Sequence, residues 1–339
     1  MEILSFFSAA IVSFFLLTFL FKHLLLNPPK TPPPPPSPPF SLPILGHLHL
    51  LKKPLHRWLS HLSNRYGPIL LLQFGSRTVL VVSSPSALQQ CFTNNDIILA
   101  NRPRLLAGKY LGYNYSNLPW SSYGNSWRNL RRVTTIEIFS SNRINASSAV
   151  RNEEVRLLLR KLCGGGRRDV GFRKVELRQV LFELVLNVMM RIAAGKRYYG
   201  GGEEQKADSG EARKFQEIVE ESFLVSAATN FLDFLPVLRW VGFGGGEKRI
   251  EELQKKRNEF LQGLVDERRR TKSCSDIIVA EGEGEGEGEE KKEKILLDAL
   301  LGLQESDPDY YTDEILKGIL VVSISPPQLL GNSFTIIIL

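Results

Sequence analysis

Apolar residues recur at helical spacing early in the chain. Leu55, Trp58, Leu59 and Leu62 share one face of a 3.6-residue repeat, which predicts a helix over Leu55–Tyr66 that Pro68 stops. Two shorter runs rich in aliphatic residues follow, Ile69–Phe74 and Thr78–Val82. Gly75-Ser76-Arg77 separates them, so the pattern reads as strand, turn, strand. Ser84-Pro85-Ser86 then opens a helix over Ala87–Phe92, with Ser84 as N-cap and Pro85 at the first position. Beyond residue 125 helical spacing dominates. The expected segments are Ser126–Glu137, Ala146–Cys163, Lys174–Ala194, Ala212–Thr229, Gly246–Thr271, Lys291–Glu305 and Thr312–Val322. Glycine triplets at 164–166, 200–202 and 244–246 mark loops between them. The alternating Glu/Gly run Glu281–Glu289 is low-complexity and self-repelling, which predicts a surface loop and not a metal site. No internal repeat is visible. The expected fold class is mainly α with a small N-terminal β-sheet.

The start of the chain has a different pattern. Ile3–Phe21 holds 19 residues without a charge, close to the ~20 needed to cross a hydrocarbon core. Glu2 precedes the run, and Lys22, His23 and Lys30 follow it. Residues 1–26 are read as an uncleaved, single-pass anchor. The following positive charge keeps that side cytosolic. A cleaved signal peptide is the alternative, but no small-x-small exit follows the run. Residues 27–41 form a proline hinge, with Pro28, Pro29, Pro32–Pro36, Pro38 and Pro39. Proline fixes φ and lacks an N–H, so the stretch is extended; it is a plain linker, or a spacer that orients a domain on the bilayer.

Composition narrows the classes. The chain has 339 residues, 43% of them hydrophobic and 23% charged, which excludes global disorder, collagen, coiled coil and a polytopic bundle. The net charge of +7 suits an anionic surface but is too diffuse for a nucleic-acid partner. Cys91, Cys163 and Cys274 are far apart and odd in number, so neither a disulfide framework nor a CxxC site is available. There is no GxSxG, HExxH, Walker A or GxGxxG motif. All five histidines lie in the first 61 residues. His47 and His49 flank Leu48, but no third ligand is nearby for a metal.

One ordered set of motifs goes further. It begins with Leu42-Pro43-Ile44-Leu45-Gly46-His47-Leu48-His49, then Tyr66-Gly67-Pro68 and Ala100-Asn101-Arg102-Pro103. Tyr123-Gly124-Asn125-Ser126-Trp127-Arg128-Asn129-Leu130-Arg131-Arg132 follows. Last come Asp233-Phe234-Leu235-Pro236 with Trp240, and Tyr311-Thr312-Asp313-Glu314-Ile315-Leu316-Lys317-Gly318. This order resembles the N-terminal portion of plant microsomal cytochromes P-450, most of all the isoflavone and phenylpropanoid-type hydroxylases, from about residue 1 to about residue 320. The resemblance implies a haem-thiolate monooxygenase that hydroxylates a small apolar aromatic metabolite. Its electrons would come from NADPH through a reductase, and it would sit on the endoplasmic reticulum with its soluble part cytosolic. By the Trp-x-x-x-Arg motif, Trp127 and Arg131 would hold the haem propionates. The spacing suits that task, because positions i and i+4 share a helix face. Indole N–H and guanidinium are both donors to carboxylate. Arg128 and Arg132 are solvated, or belong to a basic face for an acidic electron donor. Leu105, Leu106, Tyr110, Leu111 and Tyr113, with Phe223, would face substrate; ordinary core packing is the other reading. Phe231–Phe243 resembles a membrane-dipping loop.

The sequence departs from that family after Gly318. The Ala/Gly–Gly–x–Asp/Glu–Thr segment, the Glu-x-x-Arg pair and the Phe-x-x-Gly-x-Arg-x-Cys-x-Gly loop are all absent. None of the three cysteines sits in the context of the axial ligand, the thiolate that binds haem iron in that family. The expectation is therefore a partial domain over 42–320 followed by an aberrant tail over 321–339. Such a chain would have no catalytic or metal ligand of its own and would be inactive. A non-catalytic, membrane-anchored remnant or decoy is the alternative.

Overall fold

The computed structural model describes residues 11–19, 34–163, 175–200, 209–227, 231–240, 245–280 and 295–324. Residues 11–19 are helical, with Ile11, Phe14, Leu17 and Phe19 exposed. Among the described residues no helix is long and apolar enough to cross a membrane, and most of the expected anchor lies outside them.

A small N-terminal layer comes first. Helix α1 (Leu55–Tyr66) packs on strands β1 (Ile69–Phe74) and β2 (Arg77–Val82), which pair antiparallel with Leu72 opposite Val79. Strand alternation puts Leu70, Leu72 and Phe74 on one face with Val79 and Val81, and Leu62 of α1 closes over them. A two-stranded hairpin is marginal alone. Here Phe234 and Leu235 complete its core from far along the chain. The turn makes that possible. Gly75 has φ +57°, and a Cβ there would lie 2.1 Å from the Phe234 carbonyl oxygen. Ser76 donates to that oxygen from both N–H (2.8 Å) and Oγ (3.0 Å), and Arg77 Nε donates to the Asp233 carbonyl at 2.8 Å.

The 42–51 motif docks on the other side of β1. His47 is buried and its Nδ1 accepts from Gln73 N at 2.9 Å, which leaves Nε2–H to donate to Pro38 O at 3.1 Å. Both ring nitrogens are spent on backbone, and no group of three metal-ligating side chains occurs among the described residues. Pro36 O also accepts from Leu71 N, so the later part of the proline stretch lies against the sheet.

The rest is helical. Helices α2 (Pro85–Asn94), α3 (Asp96–Leu99) and α4 (Leu106–Tyr110) lead into α5 (Asn125–Glu137), α6 (Ser141–Ala146) and α7 (Ser148–Cys163). Next come α8 (Leu177–Ala194), α9 (Ser209–Ala227), α10 (Phe231–Phe234), α11 (Gly245–Ala280), α12 (Leu296–Ser306) and α13 (Asp313–Ile324). The main core joins α5, α8, α11, α12 and α13 through Leu130, Leu186, Met190, Leu261, Leu300 and Leu316, all nearly water-free. Burial of one such side chain contributes roughly 1.5–3 kcal/mol. The expected helix Ala146–Cys163 is α7, which starts two residues later at Ser148; Ala146 ends the short α6, which Ser140 caps by accepting from Arg143 N, and the chain turns at Ser147. A buried carboxylate, Glu154 of α7, ties this layer together. It accepts from Arg191 Nη1 (2.8 Å), Arg197 Nε (2.9 Å) and Asn187 Nδ2 (3.2 Å). Residues 281–294 and 325–339, with the expected acidic loop and most of the expected tail, lie outside the described residues.

Candidate functional site

Helix α5 buries Leu130, Val133 and Thr134 and turns Trp127 and Arg131 the other way. The four-residue spacing brings the Arg131 guanidinium over the indole, its Cζ 5.2 Å from the ring centroid. Tyr123 packs against the indole at a tilt, with ring centroids 5.5 Å apart. The three arginines of this helix have different partners. Arg128 donates to Asn125 Oδ1 at 2.7 Å, and Arg132 donates to Asn129 Oδ1 at 2.8 Å. Arg131 has its aromatic stack alone: among the described residues neither its guanidinium nor the Trp127 N–H meets an acceptor. Arg131 is exposed and Trp127 half-buried. The face thus offers a fixed cation and a second donor to an incoming anion. That donor set fits the paired carboxylates of a haem and is unsuited to a metal ion. The nearby Asn129 is fixed by donating to Tyr311 OH at 3.1 Å. Tyr123 was legible as part of the motif but not as the support of Trp127.

The 104–121 loop is built from unusual backbone. Tyr113, Asn114 and Tyr115 have φ of 49°, 53° and 63°, three successive residues in the left-handed region. Several bonds hold them there. Asn114 N donates to Lys109 O (2.8 Å), Tyr115 N to Gly108 O (3.1 Å) and Tyr115 OH to Leu105 O (3.1 Å). The N-terminus of α4 is fixed by Asp233, whose Oδ1 accepts from Leu106 N at 2.7 Å.

Two buried cations flank this loop. Arg257 of α11 is 5% exposed and donates to Leu111 O and to Gln254 Oε1; its Cζ lies 5.6 Å from the Tyr113 ring centroid. Lys317 of α13 is also 5% exposed. Its Nζ donates to Asn258 Oδ1 (2.8 Å) and Gln262 Oε1 (2.9 Å) and lies 5.8 Å from the same ring. Burial pulls the Arg257 guanidinium down to about 10 and also lowers Lys317; it raises the Tyr113 phenol. No sequence signal marked Arg257, which lies in a helix crowded with exposed charges.

The expected substrate residues are divided. Leu106 and Leu111 are buried with Leu232, Ile250 and Leu253, and Tyr110 packs against that cluster while its OH donates to Glu247 at 2.8 Å. Tyr113 is buried within about 6 Å of both cations, and Leu105 is half-buried. Phe223 lies on α9, and its side chain is outside the description. Cys91, Cys163 and Cys274 lie on α2, α7 and α11 and are free thiols; none is on α5.

Known proteins resemble this chain in sequence. The family model described as Cytochrome P450 matches residues 35–322. Isoflavone 3'-hydroxylase of Medicago truncatula is 47% identical over 287 residues, covering 83% of this chain and 53% of that protein. Isoflavone 2'-hydroxylase of Glycyrrhiza echinata is 42% identical over 324 residues, covering 96% and 60%. Cytochrome P450 81Q32 of Catharanthus roseus is 45% identical over 286 residues, covering 84% and 52%. The chain spans between half and three-fifths of the length of these relatives. A mainly helical body with one small sheet, and a match over 35–322, place the chain in the cytochrome P450 family, whose members carry a haem iron and take electrons from a reductase.

Proposed function

We propose that the whole protein is a haem-dependent monooxygenase that hydroxylates a small, mostly apolar aromatic metabolite. It would use dioxygen and electrons passed from NADPH by a reductase. The observation that carries this reading is the Arg131–Trp127 pair, a cation and a donor without an acceptor on one exposed helix face of a chain in this family. The bound haem would supply oxygen activation. Arg131 would bind one propionate by charge-assisted hydrogen bonds, Trp127 N–H would bind propionate as the second donor, and Tyr123 would keep the indole in place. The names of the two isoflavone hydroxylases support an aromatic substrate. Leu105, Leu106, Tyr110, Leu111, Tyr113 and Phe223 belong to the segments that would shape its pocket.

The same reading anchors residues 1–26 in the endoplasmic reticulum membrane, with 42–320 as the partial domain on the cytosolic side. The exposed Phe231, Val237 and Trp240, the last 92% exposed, would rest on the lipid. These 339 residues contain no cysteine in the axial-loop motif, so we infer that they do not turn over by themselves. As a second reading, the same absence suits a non-catalytic anchored protein.

Haemin titration of the full chain in detergent tests the clamp. Arg131→Leu should weaken haemin binding about tenfold, the loss of one charge-assisted hydrogen bond. Unchanged affinity overturns the clamp. A thiolate-type carbon monoxide band from the reduced wild-type chain overturns the inference that it lacks an axial ligand.

A further inference from the structure

From Ile3 to Asn95 the sequence holds no Asp or Glu, while Lys22, Lys30, Lys52, Lys53, Arg57, Arg65 and Arg77 all lie in that stretch. Four of these cations gather at one cavity. It has a volume of about 570 Å³ and lies between residues 38–40, the 50–54 turn and α1. Lys52, Lys53, Arg57 and Arg65 line it, and no acidic residue does. All four are exposed, and among the described residues none of them meets a carboxylate. Arg65 lies over the Tyr66 ring, Cζ 5.4 Å from its centroid. Elsewhere cations are commonly paired: Arg191 and Arg197 with Glu154, Arg268 with Asp298, Arg269 with Asp313. The cavity also has an apolar side, where Trp58 is half-buried and Leu62 is buried.

We propose that this cavity is a binding site for the acidic headgroup of a phospholipid. Phosphate oxygens would accept from the Arg57 and Arg65 guanidinium groups and from the two lysines, and the first acyl carbons would cover Trp58 and Leu62. Each basic side chain adds attraction to an anionic lipid surface, so four acting together discriminate strongly against a neutral headgroup. A free phosphate shares the charge but leaves the apolar wall unused. The site needs no membrane-spanning anchor, so it goes beyond the anchoring reading above.

The test uses the full chain in a non-ionic detergent. Dihexanoyl phosphatidic acid, dihexanoyl phosphatidylcholine and inorganic phosphate are titrated separately. Trp58 emission is the readout, taken as the difference between wild type and Trp58→Phe. Phosphatidic acid should saturate the signal, bind at least about tenfold more tightly than either competitor, and weaken as salt rises. The quadruple variant Lys52→Gln, Lys53→Gln, Arg57→Gln, Arg65→Gln should lose at least about tenfold in affinity. The exposed pair Lys255→Gln, Lys256→Gln should lose none. Equal affinity for phosphatidylcholine overturns the proposal, and phosphate binding as tightly as phosphatidic acid overturns the lipid as occupant. The headgroup comparison stands on wild-type protein even where the quadruple variant misfolds. Vesicle flotation scores the anchor separately: binding without flotation counts against the anchor alone.

Discussion

Two arginine–aromatic stacks differ in one respect, the partners left over for the guanidinium. Arg131 over Trp127 and Arg257 beside Tyr113 have similar geometry, 5.2 and 5.6 Å from the ring centroid. Arg257 is sealed inside and spends its donors on Leu111 O and Gln254, with one Nε left without an acceptor. Arg131 is exposed and spends none. A buried cation with neutral acceptors organises backbone, here the left-handed 113–115 turn. An exposed cation on a rigid aromatic is held in place and remains available to a ligand. Under the proposed function, identical side-chain chemistry serves structure in one place and recognition in the other, and burial decides which.

The sharpest way to break the contrast is Arg257→Ala. It removes the guanidinium bond to the Leu111 carbonyl, leaving that oxygen only the long bond from Asn117 Nδ2 (3.5 Å), and opens space beside Tyr113. We expect a loss of about 3 kcal/mol in urea unfolding, with faster amide exchange across residues 104–121. A change under 1 kcal/mol would remove Arg257 as the organiser of that loop.

A third kind of arginine sharpens the comparison. Arg269 donates to Asp313, which also accepts from Gln262 (2.9 Å) and Gln304 (3.0 Å). The hydrogen bonds from Arg269 hold the Asp313 carboxyl well below the usual carboxylate range. A depressed folded-state value means stability that is complete above about pH 4, the ordinary carboxylate value, and is lost as pH falls below it. Solvent screening at this partly exposed pair limits the effect to about 1 kcal/mol. Wild type should therefore lose about 1 kcal/mol more than Asp313→Asn between pH 6 and pH 2.5, read from urea midpoints. Arg257, whose acceptors are neutral, should add nothing to that slope.

The smallest effect belongs to Arg131→Leu. Without an acceptor to lose, it should move the urea midpoint by less than about 0.5 kcal/mol, even where it weakens haemin binding as proposed. A larger loss would make Arg131 structural and erase the contrast.

Much of the fold was legible because its signals are local. The helix Leu55–Tyr66 and the strand Ile69–Phe74 have the expected bounds, and Ser84 accepts from Ala87 N as an N-cap should. The helix bearing Trp127 and Arg131 starts one residue earlier than expected. What sequence could not reveal depends on distant partners. Nothing local distinguishes Arg257 from its charged neighbours in α11; its distant partners, Leu111 and Tyr113, lie in the 104–121 loop. No local signal assigned His47 a role, because its partners, Gln73 and Pro38, meet it only after β1 is in place. The short helix Leu106–Tyr110 has too few residues for periodicity to show and starts on an Asp233 carboxylate 127 positions away.

The docking of Gly75 and Ser76 on Phe234 has a consequence for how the chain comes into being. The bond from Ser76 Oγ to the Phe234 carbonyl joins residues 158 positions apart. A ribosome adds roughly 5–20 residues per second, so the hairpin emerges roughly 8–30 s before the side chains that finish its core. During that interval Leu70, Leu72 and Phe74 have only part of their cover. The nascent protein must carry an incomplete sheet past the making of α2 to α9, the eight helices described between β2 and Phe234, before Phe234 arrives to close it.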